Sequence, residues 1–127
     1  MVIRRLLVGG AATLVALVIM IASVGAWHGE SNPDYLTFSS SVALPGVILP
    51  AGTYTFARAT WNDPNIVQVL SKDGRRVYFM GFTRPVGRPD GLQQNRLVTF
   101  REVAPGVPPP IAVWYPIGSS GGHQFVY

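Results

Sequence analysis

The chain has 127 residues, is 48% hydrophobic and only 13% charged, and contains 14 Gly, 11 Pro and no Cys. That length is one domain, and the balance excludes an acidic disordered tail, a coiled coil and a collagen-like repeat. Without cysteine there is no disulfide framework, thiolate zinc site or cysteine nucleophile.

Arg4 and Arg5 precede a long uncharged stretch from Leu6 to Trp27. A cationic start, an apolar core and the small residues Val24-Gly25-Ala26 describe a secretory signal, with cleavage expected after Ala26. The alternative is an uncleaved anchor, since about 20 apolar residues span a bilayer. Arg4 and Arg5 would then stay cytoplasmic and Trp27 would mark the outer interface. Either way residues 28–127 are expected outside the cytoplasm, in the periplasm or beyond. With no cysteine after the core, a lipid-anchored variant is excluded. Residues 1–26 therefore read as a signal peptide or signal anchor, 27–34 as a linker and 35–127 as the folded domain. Of ten Lys and Arg, eight lie beyond the leader with all six acids, so the exported part carries about +2. So small a charge is no nucleic-acid footprint.

From Tyr35 the apolar residues recur with period two. Leu36, Phe38, Ser40 and Val42 alternate with Thr37, Ser39 and Ser41, and Thr53 to Arg58 repeats the pattern. Asn65–Leu70, Val77–Phe82, Leu97–Val103, Ile111–Tyr115 and Gln124–Tyr127 complete seven expected strands, rich in β-branched and aromatic residues and bounded by turn residues. The expected fold is all-β, a small antiparallel sandwich or partly open barrel behind an N-terminal apolar helix.

Three turns are readable. Leu44-Pro45-Gly46-Val47 and Leu49-Pro50-Ala51-Gly52 suit type II turns, reversing or jogging the chain. Ser71-Lys72-Asp73-Gly74 is a hairpin signal. A three-residue loop opposing Ser71 to Arg75 would pair Val69 with Val77 and Val67 with Phe79. It separates like charges and gives one apolar face, so it is preferred over a two-residue Asp73-Gly74 loop.

The run Leu49-Pro50-Ala51-Gly52-Thr53-Tyr54, followed by Val69-Leu70-Ser71-Lys72-Asp73-Gly74, resembles small exported bacterial proteins of unknown function. These consist of a signal peptide and one compact β-domain. The resemblance extends over Val77 to Thr83 and over Trp114 to Tyr127. It implies export and an all-β fold, and carries no activity and no site residues.

Candidate sites divide by chemistry. A metal would need His28 and His123 with Glu30 or Asp34, but nothing in their spacing demands convergence, and a linker and a strand-start histidine explain both. Ser119-Ser120-Gly121-Gly122-His123 sets hydroxyls near an imidazole, but without a strand–turn–helix elbow it reads as a glycine-serine loop. Asp63, Asp73 and Asp90 sit in turns, where Asp caps local amides. The segment from Thr83 to Asn95 reads as a long loop. In it Arg84 and Arg88, each before a proline, are held extended and suited to grip an anion. Trp61, Trp114 and Tyr115, with Tyr54 and Tyr78, suit a stacking platform. Because Trp114 and Tyr115 are neighbours on a strand, at most one of them enters the core, and the other lies on the outer face or under a loop. Ala104 to Pro110 reads as a stiff crossover between sheets.

The sequence thus points to an exported, non-enzymatic β-domain, without cofactor or metal, with a binding or structural role in the cell envelope. Arg84, Arg88, Trp61, Trp114 and Tyr115 are its candidate ligand-binding residues. Alternatives are a barrel or sandwich holding a small or sugar-like ligand among Tyr54, Phe56, Phe79 and Phe100, and an anchored accessory subunit of an envelope complex. Its partner is an unidentified protein or envelope component. Membrane contact is expected only through residues 6–27, if uncleaved.

Overall fold

A computed structural model describes residues 33–60 and 62–127. The leader with its expected apolar helix, its anchor alternative, His28, Glu30 and Trp61 lie outside the described residues.

The described chain is all-β. Its strands are β1 (Asp34–Phe38), β2 (Val42–Leu44), β3 (Val47–Leu49), β4 (Gly52–Thr60), β5 (Asp63–Ser71), β6 (Val77–Gly87), β7 (Val98–Phe100), β8 (Ile111–Trp114) and β9 (Gly121–Phe125). Seven of them form one antiparallel half-barrel sheet in the order β7-β8-β9-β6-β5-β4-β1. After β6 the chain crosses to the far edge, and β7, β8 and β9 meander back to pair with it, a Greek-key exchange.

The hairpin β2–β3 is a separate two-stranded sheet. Pro45 and Gly46 form its loop between the paired residues Leu44 and Val47. The pyrrolidine ring locks Pro45 at the negative φ that the first central position of a type II turn requires. Gly46, with φ +78°, supplies the positive φ of the second. This turn makes a whole hairpin, where the sequence indicated only a reversal or jog.

The hairpin fills the concave side of the half-barrel. Val42, Leu44 and Leu49 join Leu36, Phe38, Tyr54, Phe56, Val67, Val69 and Trp114 in one buried cluster. Alternation explains the membership: Leu36 and Phe38, Tyr54 and Phe56, and Val67 and Val69 are each two apart on one strand. Each fully buried aliphatic side chain there contributes about 1.5–3 kcal/mol. Pro109 holds the hairpin from outside, its carbonyl accepting the Ala43 N–H at 2.9 Å.

Four sequence expectations are corrected. First, Ser71 opposes Arg76 and not Arg75, because the Ser71 N–H bonds the Arg76 carbonyl at 2.8 Å. The Asp73 carboxylate accepts from Ser71 Oγ (2.6 Å) and from the Arg75 N–H (3.0 Å), which fixes a wider loop. The register then shifts: Leu70 pairs with Val77 but Val69 with Phe79. A β-bulge at Tyr78 absorbs the extra residue and turns Tyr78 and Phe79 together toward the core. Val69 and Phe79 still share one apolar face, reached by a bulge instead of by loop length.

Second, Thr83 to Gly87 is strand, paired with β9 from Thr83↔Phe125 to Gly87↔Gly121. Pro85 is tolerated there because the pairing with β5 stops at Phe82. Third, Gly121-Gly122-His123 belongs to β9 and is not a free loop. Fourth, Ala104 to Pro110 is no crossover between sheets. It reverses through a turn in which Val107 N–H bonds the Ala104 carbonyl, and Pro110 returns to accept the Arg101 N–H at 2.9 Å. It joins neighbours β7 and β8 of one sheet.

Candidate functional site

On the outward face of β6, Met80, Phe82 and Arg84 are spaced two apart, while Phe79 and Thr83 point inward. Thr83 is buried against the β9 residue Phe125. Phe82 is 70% exposed, Met80 56% and Val77, at the start of the same strand, 51%. An isolated exposed apolar residue is ordinary, but a row in mid-sheet beside arginine is the composition of a contact surface.

Arg84 faces Gln124 across the β6–β9 ladder. A shallow groove of about 300 Å³ opens there, lined by Arg84, Arg101, Ala112, Gln124 and the final residues Phe125 to Tyr127. Arg101 is not loose. Its guanidinium lies 5.1 Å from the centroid of the Tyr127 ring. That ring is itself pinned, because its hydroxyl donates its one proton to the Ile111 carbonyl (2.7 Å), with the Ala43 carbonyl close enough to share it (3.1 Å). Burial pushes the Tyr127 hydroxyl up to about 12, so it stays neutral beside the arginine. Two exposed guanidinium groups on one groove suit an anion with two or more oxygens.

The other sequence candidates are placed differently. Trp114 is 1% exposed, and its ring packs on Phe56 at 5.8 Å in the core. Tyr115, on the opposite face of β8, is buried beneath Arg88, whose guanidinium sits 5.2 Å from its ring centroid. Only Trp114 enters the core, as strand alternation requires. Neither ring offers a stacking surface. Arg88 donates through one nitrogen to the Gln93 carbonyl and to the Arg96 carbonyl, which organises its own loop, and its Nε is buried without a hydrogen-bond partner. Arg84 alone remains an exposed candidate, and Arg101 joins it. The sequence carries no local sign of Arg101, because its partner Tyr127 is far along the chain.

A second polar group lies on the concave face. Asp34 is buried, and its Oδ2 accepts the Trp114 indole N–H at 2.9 Å and the Ile117 N–H at 3.2 Å. Burial raises its pKa against these two bonds. The other face of the arrangement is His123, stacked on Trp114 at 5.2 Å. Thr83 gives its one hydroxyl proton to the Asn65 carbonyl at 2.9 Å. Its oxygen, 3.2 Å from His123 Nδ1, must therefore accept, which makes Nδ1 the protonated nitrogen and leaves the lone pair on Nε2. Burial, and then the charge of Arg58, hold His123 below its usual range, so the imidazole is neutral at pH 7. Trp114 thus ties both to the core, Asp34 by a hydrogen bond and His123 by ring stacking. Among the described residues, no three His, Asp or Glu side chains converge to hold a metal ion.

Tyr54, Phe56, Phe79 and Phe100 do not line a ligand cavity. They pack into or against the buried cluster that the β2–β3 hairpin completes, and Phe38 touches three aromatic rings: Tyr54, Phe56 and Phe100. No family, no characterised protein and no solved structure matches the chain.

Proposed function

We propose that this is an exported, non-enzymatic β-domain that serves as a binding or structural module of the cell envelope, and that it binds through the outward face of β6. The observation that carries the reading is Phe82, 70% exposed in the middle of a paired strand. Leaving such a ring in water forgoes about 1.5–3 kcal/mol that burial would return, and a contacting partner recovers it. Met80 and Arg84 on the same face supply the two other residue types that interface cores favour. The apolar leader and the resemblance to small exported bacterial proteins support the compartment.

The test is site-specific photo-crosslinking in cells. A photoreactive side chain at Phe82 is expected to give a distinct adduct, to a protein or to a lipid. The same side chain at Ile48, which is 58% exposed on the β2–β3 hairpin, is expected to give none. Identical patterns from both positions refute the assignment of the face.

A further inference from the structure

We infer that the outward face of β6 docks on an anionic lipid bilayer, with lipid phosphates in the Arg84–Arg101 groove and Phe82 and Met80 in the interfacial layer. This rests on the assignment of that face as the binding surface and names its occupant.

Geometry supplies the first argument. Phe82 and Arg84 are two residues apart on one face, about 7 Å along the strand. With that face laid flat on the bilayer, the ring enters the headgroup layer and the neighbouring guanidinium, on its flexible stem, reaches a lipid phosphate beside it. Arg and aromatic side chains favour this boundary because each combines an apolar body with a polar end.

Charge supplies the second. The apolar row Val77, Met80, Phe82 has cations toward both ends: Lys72 and Arg75 in the β5–β6 hairpin loop, Arg84 and Arg101 at the other end, while Arg76 lies over the inward Tyr78 ring. Among the described residues, the outward positions of β5, β6 and β9 (Ile66, Gln68, Leu70, Met80, Phe82, Arg84, Gln124) carry no carboxylate. The one acid at the hairpin, Asp73, is committed to Ser71 and Arg75. A second copy of the chain docking by this face would set like charges together. A bilayer offers a continuous anionic plane that meets both cationic ends at once, and it needs no pocket for Phe82.

The third argument is fixation. Arg101 is held on Tyr127, whose hydroxyl is anchored to the β2 and β8 backbone. Less side-chain freedom is therefore lost on docking than for a loose arginine.

The experiment uses the full chain, with an environment-sensitive dye on a single cysteine replacing Met80. It is added to vesicles of phosphatidylcholine alone and to vesicles that also contain phosphatidylglycerol as a minor component. The expected result is a blue shift and protection from aqueous quencher in the anionic vesicles only, reversed by about 0.5 M salt. Arg84→Gln and Arg101→Gln are each expected to lower the ratio of docked to undocked chains about fivefold. Phe82→Ser abolishes the shift. Far-UV circular dichroism and the urea midpoint confirm that each variant is folded. Equal dye response in neutral and anionic vesicles, or no effect of either arginine, overturns the inference. Should the dye stay silent while crosslinks from position 82 persist on a discrete protein, the lipid assignment falls and the binding face stands. Silence in both experiments removes both.

Discussion

Leu49→Ala measures how much the β2–β3 hairpin contributes as the filling of the half-barrel. Leu49 is fully buried in the central cluster, whereas the preceding residue, Ile48, points to solvent. Truncating a buried leucine removes transfer energy and leaves a cavity, together about 2–5 kcal/mol. Truncating an exposed side chain usually changes stability by about 0.5 kcal/mol or less. Against a total stability of about 5–15 kcal/mol for a domain, the first is a large fraction and the second is not. Urea unfolding followed by circular dichroism resolves them. With a slope of about 1–3 kcal/mol per molar, a loss of about 3 kcal/mol moves the midpoint down by about 1–3 M. Leu49→Ala is expected to do so, and Ile48→Ala to leave the midpoint nearly in place. Equal, small shifts for both would mean that the hairpin lies on the sheet without filling it, and the packing argument would fail.

Two further outcomes follow from local geometry. A Cβ at Gly122 would lie 2.6 Å from the Tyr115 ring and 2.9 Å from the Trp114 carbonyl, so Gly122→Ala should cost about 1–3 kcal/mol by overpacking; a glycine on the exposed tip, Gly91→Ala, serves as the unaffected comparison in the same urea assay. His123 has a depressed pKa in the fold, so its contribution to stability is present above the ordinary value of 6.5 and is lost as pH falls through the lower folded value. Asp34 acts with the opposite sign: its raised pKa favours the fold at low pH, and that contribution is lost as pH rises through the folded value. Comparing the native chain with His123→Gln isolates the histidine, and the variant should show a shallower loss of stability between pH 7.5 and pH 5; parallel curves would show that the imidazole does not resist protonation.

Period-two alternation in the sequence was enough to place the inner faces of β1, β4 and β5, because Leu36 and Phe38 flank Thr37, Phe56 lies between Thr55 and Ala57, and Val67 and Val69 flank Gln68. It also shows that Trp114 and Tyr115 part company. The β5–β6 register was not legible. The bulge at Tyr78 restores the apolar face two residues later, and an aromatic pair at a bulge looks like any strand interior. The second half of β6 was hidden by Arg84-Pro85 and Gly87, residues that usually mark loops. Their acceptance depends on which edge of the strand is paired, a tertiary fact. Arg88 shows the limit for sites. Its chemistry suits an anion, but one of its guanidinium nitrogens serves the Gln93 and Arg96 carbonyls, the group lies against Tyr115, and its Nε is buried without a hydrogen-bond partner. Arg101 gains its place only when Tyr127 returns beside it.

The absence of native cysteine makes one measurement decisive for the binding face. Single cysteines replacing Phe79, Met80, Phe82, Thr83 and Arg84 in turn can each be timed with a water-soluble thiol reagent, first on the free protein and then with envelope membranes added. The account predicts fast labelling at 80, 82 and 84 and slow labelling at 79 and 83, with membranes slowing 82 and 80 but not a cysteine replacing Ile48. Uniform rates along β6 would contradict the assigned face, and labelling at 82 that membranes leave unchanged would contradict its role.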